Sequence, residues 1–201
     1  MTLKKKLTMA VALVLIIALA IAGTYAYLTS TPDKVTNTFT IGKLAITLDE
    51  LEVDEYGVAA DNATRSNAGN EYKLMPGHNY KKDPTIHVQP GSEKCYLFVK
   101  VEDGLANIEA DTKIADQITG NGWTLVTGET NVYWKAQDAV AADATDPVDV
   151  LVFSDFTLTT DAIADTYANA KIDITAYAIQ QDGFDSAAAA WTASGWATSN
   201  G

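Results

Sequence analysis

The sequence predicts an all-β protein: a jelly-roll-like two-sheet sandwich with a few short helices, preceded by a signal-peptide helix. Three observations support this fold class. Most of the chain alternates apolar and polar residues with the period of two that is typical of strands with one buried face. Turn signals separate these stretches, and only two short stretches favour helix. The sequence shows no repeat of fixed length, which argues against a solenoid or a propeller.

The first 26 residues have the layout of a secretory signal peptide. Three lysines precede an apolar run, Leu7 to Ala22, that only Thr8 interrupts. At ~1.5 Å per residue this run makes about 24 Å of helix, which is shorter than the ~30 Å hydrocarbon core of a bilayer. Small residues at the −3 and −1 positions predict cleavage between Ala26 and Tyr27. We therefore expect a secreted domain, residues 27–201, that meets the membrane only before cleavage; a retained anchor is the alternative.

Strand patterning begins after a polar segment, Thr29 to Lys34. Alternation predicts strands at residues 35–41, 44–48, 79–89, 94–102, 123–127, 132–135, 150–159 and 171–181. Within the third of these, Pro84 cannot donate to a ladder, so that strand is an edge or is interrupted there. The polar segment 54–71 predicts a long exposed loop. Helices are predicted at 111–118, with Asp111 as the N-cap, and at 185–191, where a cap precedes four alanines.

Several apolar residues point to the interior. Cys95 is in phase with Leu97 and Val99, so we interpret it as a small core residue; as the one cysteine it excludes an internal disulfide and a multi-cysteine metal site. Tyr96 and Phe98 lie on the opposite face, which indicates a central strand or an outer face that another chain covers. The four tryptophans favour core or subunit contacts over a sugar-binding platform.

The charge balance excludes one class of partner. The chain has 26 acidic and 14 basic residues, a formal net charge of −12, and all the acidic residues follow the apolar run. Past Ala26 the balance is 11 − 26 = −15. Such a charge repels phosphate backbones, so we expect no nucleic-acid partner.

Candidate chemistry is sparse. His78 or His87 could form a surface metal site with Asp83 or Glu93, but we favour a turn histidine and a strand histidine without metal. The acidic stretch 49–55 could bind calcium weakly, yet it lacks EF-hand spacing, and a solvated acidic face is the preferred interpretation. The sequence contains neither HExxH nor GxSxG. We expect no enzymatic activity and no cofactor.

Three stretches resemble the TasA/camelysin family of biofilm-matrix proteins. They are KKKLTMAVALVLIIALAIAGTYAYLTSTPDKVTNTFTIGKLAITLDE, KLMPGHNYKKDPTIHVQPGSEKCYLFVKVE and ITAYAIQQDGFDSAAAAW. The signal and the following FTIGKLAITLDE are the most specific part. The resemblance implies export with a signal peptide that a SipW-type signal peptidase cuts, a jelly-roll domain, and assembly into extracellular fibres.

In such fibres the segment after the cleavage site leaves its own subunit and adds as a strand to the next. Carried onto this sequence, the donor segment is residues 27–41, with Tyr27, Leu28, Val35 and Phe39 as donor-strand residues. The resemblance thus implies that the chain's partners are other copies of itself, in the extracellular matrix or at the cell surface. Camelysin-like relatives are also classed as metallopeptidases, and that activity is one alternative. A monomeric module that binds a polysaccharide or a partner protein is the other.

Overall fold

The computed structural model describes residues 4–5, 42–162, 167 and 169–196. The chain divides into two units, residues 1–40 and 41–201, and the described β-strands belong to the second. The predicted signal peptide, its cleavage site at Ala26 and Tyr27, and the donor-strand residues Leu28, Val35 and Phe39 lie outside the described residues.

The described part of the chain from residue 42 onwards contains ten strands and two helices. The strands are β1 Ile46–Leu51, β2 Arg65–Ser66, β3 Asn79–Lys81, β4 Thr85–Val88, β5 Cys95–Asp103, β6 Thr124–Leu125, β7 Val132–Gln137, β8 Val148–Leu151, β9 Asp155–Thr157 and β10 Ile172–Gln180. The helices are α1 Ile114–Gly120 and α2 Ala187–Ser194. The predicted all-β class is confirmed.

The strands form two four-stranded antiparallel sheets and one strand pair. Sheet A has the order β2-β1-β4-β8, sheet B has the order β10-β5-β7-β6, and β3 pairs with β9. In sheet B, β5 and β10 pair along their whole nine-residue lengths, from Cys95↔Gln180 to Asp103↔Ile172. Strand β5 is therefore the central strand that its two apolar faces predicted.

One face of sheet B packs on sheet A and forms the main core of the sandwich. Leu97 and Val99 of β5 and Ile86 and Val88 of β4 belong to this core and are all 0% exposed. Cys95 lies in the same layer as a buried free thiol, as predicted, and burial raises the pKa of its thiol to about 11. The cysteine is therefore packed as a small hydrophobe and stays protonated at neutral pH.

The opposite face of sheet B is covered by helix α2 of the same chain. Trp191, which is 3% exposed, packs on Phe98 of β5 with ring centroids 5.2 Å apart and on Tyr177 of β10 at 5.7 Å. The outer face that the sequence assigned either to a central strand or to another chain is thus filled from within. Trp123 is buried in the main core, which confirms the core interpretation for these two tryptophans.

A corner in the chain breaks two of the predicted strands. Pro84 interrupts the predicted strand 79–89, so β3 and β4 join different sheets, as Pro84 indicated. The prediction of one strand over 150–159 is wrong, because β8 follows β4 and β9 follows β3 around the same corner. Val152 N–H donates to the Pro84 carbonyl at 2.9 Å, which holds the second bend against the first.

Both helix starts differ from the prediction. Asp111 is not an N-cap: α1 begins at Ile114, and the Glu109 carboxylate, 3.1 Å away, accepts the Ile114 N–H that a capping side chain would have satisfied. Helix α2 begins at Ala187, and the cap predicted before its alanines is Ser186, whose hydroxyl accepts the Ala189 N–H at 3.2 Å.

The predicted exposed loop 54–71 contains a short strand. Strand β2 pairs with the end of β1, with Glu50 opposite Ser66 and Leu51 opposite Arg65. Arg65 bonds both Asp49 and Asp83, which fastens the loop to sheet A. A strand of two residues is too short to show the alternation of apolar and polar residues from which strands are predicted.

Candidate assembly edge

One edge of strand β10 pairs with no described strand. In an antiparallel pair, residues that bond the partner alternate with residues whose N–H and C=O both point away. Gly104 N–H donates to the Lys171 carbonyl at 2.8 Å and Gln181 N–H donates to the Lys94 carbonyl at 3.0 Å, so the odd-numbered residues of β10 bond β5. Outward-pointing backbone groups therefore belong to Ile172, Ile174, Ala176, Ala178 and Gln180. No described residue forms a backbone hydrogen bond to this edge.

The core beneath that edge is incompletely covered. Ile172, Ile174, Ala176 and Ala178 face the main core, yet they are only half-buried. Their neighbours on β5 in the same layer, Leu97 and Val99, are 0% exposed. The core residues are thus fully buried on the central strand β5 but partly exposed on the edge strand β10. A sandwich shows this gradient where no further strand is paired beyond the edge strand.

Strand β1 presents a second open edge on the same side. Gln89 N–H donates to the Ala45 carbonyl at 3.0 Å, so Thr47 and Asp49 bond β4, while Ile46 and Leu48 turn their backbone groups away from it. Strand β2 reaches only Glu50 and Leu51. The half-buried side chains of Ile46 and Leu48 pack on the same core, and β1 comes within 8 Å of β10 between Cα atoms. We call these two facing edges the open seam.

Two grooves lie along the seam. One, of about 220 Å³, lies between Leu48 and Glu50 of β1 and Ile172 and Ile174 of β10. The other, of about 920 Å³, borders the start of β10 and is lined by residues that include Tyr72, Leu105, Phe156 and Ile172. The grooves have mixed polar and apolar walls and lie beside backbone groups that no described residue bonds, and both features are compatible with an added strand.

In the described part of the chain, the other end strands of the two four-stranded sheets are protected. Strands β2 and β6 have two residues each. Strand β8 has four residues, carries the charge of Asp149, and its Leu151 carbonyl accepts the Trp123 indole N–H at 2.9 Å. Short length, charge and a capped carbonyl are common ways of blocking strand addition. Strand β10 has nine residues and a single charged side chain, Asp173.

The two histidines lie where the sequence favoured them, one at a turn and one on a strand. The Nε2 atom of His78 lies 2.9 Å from the Tyr56 carbonyl. His87 lies on β4 between two neighbouring strands, with Nε2 2.8 Å from Asp49 and Nδ1 2.6 Å from Asp149. Burial, which lowers the pKa of His87, is outweighed by these hydrogen bonds, so the pKa is raised. Within the described ranges, His, Cys, Asp and Glu side chains form no group of three or more that could hold a metal ion.

The acidic stretch 49–55 is not simply a solvated face. Asp49 pairs with Arg65 and His87, and although burial opposes it, those contacts lower the Asp49 pKa. Glu50 is 6% exposed and its Oε2 lies 2.5 Å from the Nζ of Lys82, which is 7% exposed. The strand period explains the error, because alternate members of an acidic run on a strand point in opposite directions.

A second pair of acidic residues was not predicted from the sequence. Glu109, 6% exposed, and Asp103, at the end of β5, line a cavity of about 730 Å³ together with Lys113 and Lys171. Burial and then the charge of Asp103 raise the pKa of Glu109 to about 7; burial also raises the pKa of Asp103. The carboxylates are six positions apart in a turn-rich stretch without a motif, so only the fold brings them together.

The described residues thus define an antiparallel β-sandwich protein with one incomplete side. A family model described as camelysin metallo-endopeptidase matches residues 2–58, the N-terminal part of the chain. This match supports the resemblance to the TasA/camelysin family, whose members are typically extracellular or at the cell surface. No curated protein and no solved structure matches the chain. Among residues 42–162, 167 and 169–196, no helix has the length and apolar character needed to cross a membrane.

Proposed function

We propose that the protein is a structural subunit of extracellular fibres in a biofilm matrix or at the cell surface, and that it assembles by donor-strand exchange. The donor is residues 27–41 of one copy, freed when a signal peptidase cuts after Ala26. The acceptor is the open seam of the next copy. The observation that carries the proposal is the half-buried core layer of β10, bordered by five residues whose backbone groups point outward.

The donor sequence suits this acceptor. Val35, Phe39 and Ile41 share one face of the predicted strand, and threonines occupy the other. On insertion the apolar face covers Ile46 and Leu48 of β1 and the half-buried residues of β10, while the donor backbone bonds the outward groups. At a net contribution of about 0.5–1.5 kcal/mol each, a full set of such hydrogen bonds supplies several kcal/mol, to which apolar burial adds.

The geometry of exchange dictates the form of the product. The donor is at one end of the polypeptide and the acceptor is on the body of another copy, so each contact is head to tail. Contacts of this kind do not close on themselves unless the rotation between subunits closes a ring, and they otherwise generate filaments. Cleavage also provides control, because a donor still joined to a membrane helix is not free to leave its own copy.

Amide hydrogen exchange tests the acceptor directly. In monomers the odd-numbered amides of β10, which bond β5, should be protected, while those of Ile174, Ala176 and Ala178, which no described residue bonds, should exchange freely. In filaments the even-numbered amides should become protected as well, whereas β6 should show no change. An unaltered alternation in filaments places the contact elsewhere and refutes the acceptor.

Truncation tests the donor. Processed protein that also lacks Tyr27 to Lys34 should keep the thermal stability of the sandwich but should form no filaments by electron microscopy. A synthetic peptide of residues 27–41 should shorten filaments of the intact processed protein, and a scrambled peptide of the same composition is the control. Filaments of normal length from the truncated chain contradict donor-strand exchange.

Two other functions make different predictions. The family description includes metallo-endopeptidase, so chelator-sensitive cleavage of casein that disappears in His78→Ala or His87→Ala would favour a peptidase. We propose that the chain is not an enzyme and expect no such cleavage. A monomeric binding module predicts a single monomer peak in size-exclusion chromatography at high protein concentration, after processing.

A further inference from the structure

A buried lysine, glutamate and asparagine meet beside the open seam. Glu50 on β1 and Lys82 after β3 have side chains that are 8% exposed, and their Oε2 and Nζ atoms are 2.5 Å apart. The other carboxylate oxygen, Oε1, accepts hydrogen bonds from the Asn70 backbone N–H and from its side-chain Nδ2, each at 2.9 Å. The lysine amine and the asparagine carboxamide therefore lie against the two oxygens of one carboxyl group.

The carboxamide of Asn70 is held on every side. Its Oδ1 accepts the Val53 N–H at 3.0 Å, and its Nδ2 also donates to the Leu51 carbonyl at 2.9 Å. Tyr72 lies next to this cluster, and burial, followed by the charge of Glu50, raises the pKa of its hydroxyl. Tyr72 in turn stacks edge-on against Tyr80 and Phe156, with ring centroids 5.6 and 5.3 Å away.

We propose that these residues form a self-catalysed covalent cross-link, an isopeptide bond between Lys82 and Asn70. Lys82 Nζ attacks Cγ of Asn70; the Nζ–Cγ bond forms, the Cγ–Nδ2 bond breaks, and Nδ2 leaves as ammonia, which takes up the second proton that Nζ loses. An ammonium and a carboxamide are converted to a secondary amide and an ammonium ion, so atoms and charge balance. The reaction needs no oxidant, metal or second enzyme.

Glu50 acts as the proton carrier. A proton that crosses the 2.5 Å contact from Nζ to Oε2 leaves a neutral amine, the form that attacks a carbonyl carbon. After attack the same carboxyl group returns a proton to Nδ2, with which its Oε1 is already in contact.

The Val53 N–H stabilises the intermediate. Attack on Cγ places negative charge on Oδ1, and a backbone donor already points at that atom. The site thus contains a nucleophile, a proton carrier, an oxyanion donor and an oriented leaving group. An ordinary buried ion pair needs only the lysine and the glutamate, and the carboxamide fixed on the other carboxylate oxygen, Oε1, is what distinguishes this site.

The bond would fasten β1, the loop after β2 and the β3–β4 corner on the side where the sandwich is open. A cross-link between positions 70 and 82 restricts the unfolded chain as a disulfide does, in a protein whose one cysteine is buried. Cross-linking is independent of fibre assembly, because the reaction occurs within one subunit and can be measured in a monomer.

Peptide mapping by mass spectrometry tests the bond. The full-length protein is denatured and digested, and the fragments that contain residues 70 and 82 should be recovered as one branched peptide, lighter than their sum by one molecule of ammonia. Glu50→Gln, which keeps the size of the side chain but carries no proton, and Lys82→Met should each release the two fragments separately. The control Lys81→Met, at the exposed neighbouring lysine, should retain the branched peptide.

The wild-type map decides the question even if a variant fails to fold. Recovery of the two fragments only as separate linear peptides at their full masses, from protein that is folded by circular dichroism, overturns the proposal. A branched peptide in Glu50→Gln at the wild-type level overturns the role of Glu50 as the proton carrier.

Discussion

Replacing Ala176 by proline separates assembly from folding. The Ala176 N–H points outward from β10, so proline at this position removes a donor that no described residue uses. The preceding residue, Thr175, lies opposite Lys100 and directs its N–H towards β5. The N–H of Ala176 is available for assembly, whereas the N–H of Thr175 stabilises the monomer. Thr175→Pro is therefore a matched control for Ala176→Pro.

The expected magnitudes follow from the hydrogen bonds at stake. Ala176→Pro should cost the monomer about 1 kcal/mol or less, which is ~2–4 °C in melting temperature for a chain of this size. In the filament it removes one hydrogen bond, and its ring holds the donor strand away, for a loss of about 1–3 kcal/mol per contact. That loss lowers the association constant by a factor of roughly 5 to 150. Thr175→Pro breaks the ladder to β5 and should destabilise the monomer by about 3 kcal/mol or more.

The assay combines thermal unfolding of the monomer with sedimentation and electron microscopy of processed protein over a range of concentrations. Ala176→Pro should melt close to the wild type and should require a much higher concentration for filaments. Filaments of wild-type length at the wild-type threshold from Ala176→Pro would mean that the outer edge of β10 is not the acceptor. A collapse in monomer stability as large as that of Thr175→Pro would mean that the assignment of inward and outward residues is wrong.

Three further predictions concern stability. His87→Gln should lower the free energy of unfolding, measured in urea, by roughly 1 kcal/mol at about pH 5.5 and by little at about pH 9. The reason is that the pKa of His87 in the folded state lies above its usual value near 6.5, so its stabilising effect is lost as pH rises through the folded pKa. An equal loss at both pH values contradicts this prediction. Between its usual pKa of 4.5 and about 7, Glu109 is protonated in the folded state but ionised in the unfolded chain, so the free energy of unfolding should fall as pH rises through that range. Glu109→Gln should abolish this fall, and a variant that keeps the wild-type pH profile contradicts the prediction. Trp191→Ala should cost about 3–5 kcal/mol in denaturant unfolding, whereas exposed Thr192→Ala should cost about 0.5 kcal/mol or less; similar values for both would show that α2 does not stabilise sheet B.

The fold class and the long strands were accessible from sequence because they rest on local periodicity. Strand β5 is apolar on both faces and β10 alternates, and each was predicted nearly to its ends. The break at Pro84 was also accessible, since proline cannot donate in a ladder. The break between β8 and β9 was not, because nothing local marks it: those residues bend only because the strands beside them do.

The seam and the charged clusters could not be predicted for a related reason. That Ile174 and Ala176 face a core is visible in the alternation, but their incomplete burial depends on which strands are adjacent, and strand order is a long-range property. Glu50, Asn70 and Lys82 come from three separate segments. The sequence shows only an acidic run, a polar loop and a pair of lysines, each of which is ordinary on a surface.

Helix α2 has a consequence for the thickness of any fibre. β-rich chains that add edge to edge tend also to stack sheet upon sheet, since a bare apolar face attracts another like it. Phe98 and Tyr177 would form such a face on sheet B, but Trp191 already occupies it. In the proposed fibre this face is closed to lateral stacking, and we expect slender, separate threads rather than laterally fused, amyloid-like bundles.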